Sequence, residues 1–104
     1  MTLKRTLLST AIVALLGTAG VAWAGGNIQA GKAKAGSCAM CHGANGEGGS
    51  GAVLAGMKED KFVQAMKDFK SGKRPNAMMK SFANQLSSDD VENVAAYYAS
   101  LKGK

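Results

Sequence analysis

The sequence predicts a small all-α domain of three to four helices. Three observations predict it. Apolar residues recur at helical spacing in separate stretches, and no β-branched run exists beyond residue 24. A glycine-rich run from Gly43 to Gly56 separates the early helical stretch from the later ones. The only two cysteines and the only histidine fall within five residues, Cys38-Ala39-Met40-Cys41-His42.

Residues 1–24 stand apart. Lys4 and Arg5 precede the apolar run Leu7 to Leu16, and Ala22-Trp23-Ala24 follows before a glycine pair. A positive start, a short apolar stretch and a small-x-small site form an export signal, expected to be cleaved after Ala24. The run is short for a membrane span of about 20 residues. The remaining domain, residues 25–104, carries about four more positive than negative charges. This balance suits docking on an acidic partner or membrane surface. The lysines are scattered and no aromatic platform interleaves them, so nucleic acid is not an expected partner.

The domain's helices follow in order. Asn27 is a good N-cap for a first helix that delivers Cys38, and Gly31 within it allows another helix to approach closely. The run Gly43–Gly56 lacks the order of a phosphate-binding loop and reads as backbone wrapped tightly around a flat ligand. Phe62, Ala65, Met66 and Phe69 recur at i, i+3, i+4 and i+7, with Gly72 as the C-terminal stop. Residues 73–85 read mostly as loop around the sole proline, Pro75. Ser87 with Asp90 imitates a capping box for a last helix. Its apolar face is Val91, Val94, Ala95, Tyr98 and Leu101, with Tyr97 at the margin. That helix is expected to cross the first near Gly31, with Tyr97 or Tyr98 filling the contact.

Eighty residues with few aromatics enclose little apolar surface, and domains of this size usually need a staple. The pentapeptide at 38–42 offers three. A thiol oxidoreductase uses CxxC in a βαβ setting, for which strand patterns are missing. A structural zinc site wants four ligands, and only three are present. In CxxCH the two thiols add to haem vinyl groups and the adjacent histidine meets the iron. The last reading accounts for all three residues, the export signal and the thin core. The expected cofactor is therefore one covalent haem c, held by Cys38 and Cys41, with His42 on the iron.

Without a second histidine, the sixth ligand is expected from a methionine thioether. Met40 lies inside the attachment motif. Met66 sits on an apolar helix face, and Met57 follows the glycine run. Met78 and Met79 lie late enough to fold over the haem.

The stretches CAMCHGANGEGG, LAGM and SGKRPNAMMKSFANQLSSDDVENVAAYYASLK resemble bacterial class I cytochromes c. The likeness is to the short cytochrome c553 and c5 types and to one half of the dihaem cytochrome c4. It covers nearly all of residues 27–102. It implies the small cytochrome c fold around a covalent haem. It also implies periplasmic electron transfer rather than enzyme activity, with redox proteins such as a terminal oxidase or dehydrogenase as partners and no small-molecule substrate. The spacing to Phe82-Ala83 and Leu86-Ser87 implies Met79 as the axial ligand, with Met78 as the alternative. The family often has proline where this chain has Ala52, whose carbonyl can still accept the His42 Nδ1–H. Lys58, Lys61, Lys73 and Lys80 are expected to ring an exposed haem edge. The competing functions are a haem subunit of a larger dehydrogenase such as a flavocytochrome, a five-coordinate haem sensor, and a CxxC thiol oxidoreductase.

Overall fold

In the computed structural model, residues 25–102 are described, and the expected export signal, residues 1–24, lies outside them. Five helices follow one another: α1 Ile28–Lys34, α2 Gly36–His42, α3 Glu59–Ser71, α4 Ala77–Asn84 and α5 Ser88–Ser100. The described residues contain no strand.

The count exceeds the expected three to four for two local reasons. The first helical stretch breaks at Ala35, which caps α1 with its N–H on the Gly31 and Lys32 carbonyls and also precedes α2. Residues 77–84, expected as loop, form α4. Asn76 stands in extended conformation at its N-cap, and its side chain accepts from the Met79 N–H at 2.9 Å. Ala77, Met78, Met79 and Lys80 then continue it as good helix formers.

Other helix ends follow the sequence. Asn27 accepts from the Ala30 N–H at 2.8 Å. Gly72 ends α3 in the left-handed conformation. Ser87 and Asp90 close a full capping box on α5, satisfying two backbone donors reciprocally.

Helix α1 crosses α5. A Cβ on Gly31 would lie 1.9 Å from the Asn93 carbonyl oxygen, so the helices meet backbone to backbone at this point. The contact is filled by the Asn93–Val94 backbone rather than by a tyrosine ring. The Asn93 side chain accepts from the Asn27 N–H at 2.7 Å, and Lys34 pairs with Asp90 at 3.7 Å. Helix α3 packs on both α4 and α5.

The core joins Phe62, Met66 and Phe69 of α3 to Ala83 of α4 and to Val94, Ala95, Tyr97 and Tyr98 of α5. Tyr97, expected at the margin, is buried. The Tyr98 ring stands 6.0 Å from Phe62 and 5.0 Å from Tyr97, spacings typical of tilted aromatic pairs.

The glycine-rich segment folds back on this frame. Its amides bond to the end of α2, Gly48 to the His42 carbonyl at 2.7 Å and Gly51 to the Cys41 carbonyl at 2.8 Å. The Gly46 carbonyl accepts from both Leu54 and Ala55, and the Gly56 amide reaches the Tyr98 carbonyl. Gly46 has φ +73°, and a Cβ there would strike the Tyr98 ring at 2.8 Å. Only glycine meets both demands cheaply.

Candidate haem site

The α2 helix, the returning loop, α3 and α4 enclose a cavity of about 430 Å³. Cys38, Cys41 and His42 line one part of it, with Gly51, Ala52 and Leu54 of the loop beside them. Met57, Phe62, Met66 and Phe69 supply an apolar wall, and Met78, Met79 and Phe82 of α4 supply another. The structure therefore brings both thiols, the imidazole and the two α4 methionines to one space. Met57 and Met66 also face it, whereas Met40 is 82% exposed and is not on the wall.

His42 is held by its outer nitrogen. Nδ1 lies 2.7 Å from the Ala52 carbonyl oxygen. A carbonyl only accepts, so Nδ1 is the donor in this bond, which leaves Nε2 as the nitrogen available to an iron. The loop presses close to make this bond: a Cβ on Gly51 would sit 2.7 Å from the ring's Cε1.

Cys38 and Cys41 are both partly buried. Burial pushes the Cys38 thiol up, opposed by hydrogen bonds from Tyr98 and Ser37. Burial, with Cys38 and Tyr97 nearby, raises the Tyr98 phenol far above its usual range, so it stays a neutral donor.

The two α4 methionines differ in setting. Met79 packs against the core, whereas Met78 is 61% exposed. Both were expected in a loop. They sit instead on the first turn of α4, with Met79 fixed at its amide by Asn76.

Two cavity-wall cations were not anticipated from the sequence. Lys34 and Arg74 line the cavity, while Lys58, Lys61, Lys73 and Lys80 do not. The Arg74 guanidinium lies 4.6 Å above the Phe69 ring. Among the described residues no acidic side chain lines the cavity.

These residues fit a covalent haem. The wall is mostly apolar, the two thiols are adjacent on α2, one imidazole is preset for metal, and a soft thioether is available. A helical fold closing over such a cleft, with CxxCH at its wall, defines the class I c-type cytochromes. Residues 27–97 match the family model described as cytochrome c oxidase, cbb3-type, subunit III, and the chain belongs to this family of cytochrome c domains.

Relatives agree with this assignment. Cytochrome c4 of Pseudomonas aeruginosa is 39% identical over 97 residues, covering 91% of this chain and 48% of that protein. The chain thus spans about half the length of that relative. Cytochrome c-554(548) of Halomonas halodenitrificans is 34% identical over 80 residues, 72% of this chain and 96% of that one. The crystal structure of reduced recombinant cytochrome c4 from Pseudomonas stutzeri superposes with a TM-score of 0.68 at 32% identity, over 76% of this chain and 47% of that chain. Haem c is the cofactor of this family, and Cys38 and Cys41 occupy its CxxCH attachment positions.

Proposed function

We propose that this chain is a periplasmic carrier of single electrons, with haem c bound through Cys38 and Cys41 and with His42 and Met79 as axial ligands. The observation that carries the reading is the convergence of CxxCH and the half-buried α4 methionine Met79 on one apolar cavity. When bound, haem c supplies a one-electron couple between ferrous and ferric iron.

The chain's residues set the conditions for that couple. Cys38 and Cys41 would hold the haem through two thioether bonds. The Ala52 carbonyl holds the His42 tautomer and makes its imidazole more basic. Met79, a weak soft donor, favours the reduced state. The apolar wall of Phe62, Met66 and Phe69 excludes water and lowers the local dielectric. With His42 and Met79 both donating to the iron, no position would remain for a small substrate, which supports an electron carrier rather than an enzyme.

Electrons pass at the exposed rim. Met40, Val53 and Met78 are exposed apolar side chains, and each adjoins a cavity-wall residue in the chain. Together with the net positive charge, they suit a small, weak contact with an acidic redox protein, steered by charge. Among the described residues no helix is long and apolar enough to cross a membrane. Export is assigned to residues 1–24, with cleavage after Ala24.

The test is expression with c-type haem maturation, then a visible spectrum before and after denaturation and a redox titration. A haem band that survives denaturation, with a single one-electron wave and no carbon monoxide binding in the native state, is the expected result. Native carbon monoxide binding would replace the carrier by a sensor or enzyme. Two free thiols without haem would leave the thiol oxidoreductase.

A further inference from the structure

We infer that removal of the export segment creates an ion pair: the new α-ammonium group of Gly25 docks on the Glu59 carboxylate and ties the processed end of the chain to α3. The inference rests on the cleavage after Ala24 proposed above.

The residues that follow Gly25 fix its place. The Asn27 N–H donates to the Asn93 side chain of α5 at 2.7 Å. A Cβ on Gly26 would lie 2.5 Å from the Glu92 carbonyl oxygen and 2.6 Å from the Asn93 Cα, so this stretch lies backbone to backbone on α5. Gly25 is the next residue outward, and it reaches α3. A Cβ there would lie 3.2 Å from Glu59 Oε1 and 3.6 Å from Oε2. A backbone nitrogen stands about 2.5 Å from its own Cβ position, which puts the Gly25 nitrogen within about 6 Å of the carboxylate. Once the chain ends here, rotation about the Cα–C bond of a residue without a side chain closes the remaining gap.

Cleavage changes the charge on this nitrogen. Hydrolysis of the Ala24–Gly25 peptide bond consumes a water and leaves a carboxylate on Ala24 and an amine on Gly25. Before it, the nitrogen is a neutral amide. After it, an amine of ordinary pKa, about 7.7–8.0, is mostly protonated at neutral pH. The charged residues of the helix ends that meet here are Lys58, Glu59 and Asp60 at the start of α3 and Asp89, Asp90 and Glu92 in the first turns of α5. Asp90 is engaged with Lys34 at 3.7 Å. The corner is acidic, and a cation suits it.

The pair joins elements that are otherwise separate. Among the described residues α1 packs on α2 and α5 and not on α3. Helix α3 starts at Lys58 without a side-chain cap, and its Phe62, Met66 and Phe69 form part of the haem cavity wall. A Glu59 held by the ammonium keeps its negative charge at the positive end of the α3 dipole. The mature domain thereby gains a link between its first residue and the helix behind the cavity, and the unprocessed chain lacks it.

The experiment is a pH titration of the Gly25 Cα resonances by NMR in the reduced, processed holo protein, for the unmutated chain, Glu59→Gln and Glu92→Gln. Intact mass and N-terminal sequencing first establish that the chain starts at Gly25. An exposed pair is expected to raise the proton affinity of the amine about two- to threefold over its ordinary value. A pair of this sign is present below the ordinary amine range and is lost as pH rises through the raised value. Glu59→Gln returns the titration to the ordinary range and Glu92→Gln leaves it raised. Salt at 1 M, where screening acts within about 3 Å, moves the unmutated chain in the same direction as Glu59→Gln. The inference is overturned if the unmutated amine titrates at its ordinary value, a reading that needs no variant. It is equally overturned if Glu59→Gln titrates like the unmutated chain, or if the change follows Glu92→Gln instead. An exported chain that is uncleaved or starts at another residue overturns the underlying cleavage reading, and the mass shows this before any titration.

Discussion

The Nδ1 atom of His42 lies 2.7 Å from the carbonyl oxygen of Ala52, ten residues on, and Gly51 leaves the space that lets them meet. Three features of the site depend on this pair: the tautomer, the ring orientation and the basicity of the imidazole.

Substituting Gly51 by alanine places a Cβ within 2.8 Å of Nδ1. The ring or the loop must shift and the bond lengthens. A less basic imidazole stabilises ferric iron less, so the midpoint potential rises by tens of millivolts. For scale, a tenfold change in a one-electron equilibrium is about 59 mV. Redox titration of Gly51→Ala checks this. An unchanged potential would mean that the loop yields and keeps the bond.

The two methionines of α4 separate by burial. Met79→Ala is expected to open an axial position. The ferric charge-transfer band of a methionine ligand disappears and carbon monoxide binds the reduced native protein. Met78→Ala leaves both signatures in place, because that side chain is largely exposed. The opposite pattern would move the ligand to Met78.

At Gly31 two effects oppose each other. Alanine gains about 1 kcal/mol of helix propensity over glycine. Its Cβ would fall 1.9 Å from the Asn93 carbonyl oxygen and 2.4 Å from the carbonyl carbon. Those atoms are backbone, so relief requires α1 and α5 to separate. Overpacking costs of about 1–3 kcal/mol, occasionally more, outweigh the gain. Gly31→Ala therefore lowers the thermal midpoint by several degrees in a scan followed by circular dichroism. A raised midpoint would show that the helices part easily.

The capping box of α5 sets an acid limit. The Ser87 backbone amide and hydroxyl, with Lys34, hold the Asp90 carboxyl below its usual value. A carboxyl depressed in the folded state contributes stability above its unfolded pKa, near 3.8. That contribution is lost as pH falls through the lower folded value. Ser87→Ala removes the N-cap at a cost of about 1 kcal/mol at neutral pH. The difference between variant and parent narrows below pH 4. Denaturant midpoints at pH 7 and pH 3 measure it, and a constant difference would dissociate Asp90 from the cap.

Much of the fold was legible locally. Asn27, Gly72 and the Ser87–Asp90 pair mark helix ends because caps act over three or four residues. The apolar face of α3 was equally plain, since Phe62, Met66 and Phe69 repeat at the helical period. Residues 77–84 were misread because Pro75 and Asn76 look like turn residues. They are also the residues that precede and cap a helix, and the eight residues after them are too few for periodicity to decide.

The sequence by itself determined the cofactor chemistry. Two thiols and an imidazole within five residues form a covalent signature whose meaning does not depend on the rest of the chain. It also made Met79, with Met78 as the alternative, the expected sixth ligand. Tertiary structure alone decided that Met79 packs inward while Met78 is exposed, that α1 rests on the α5 backbone at Asn93, and that Arg74 stacks on Phe69 at the cavity wall. Each of these depends on elements far apart in the chain meeting in space. Spacing along a sequence records what lies within a turn of helix, whereas a cavity wall is assembled only when the helices pack.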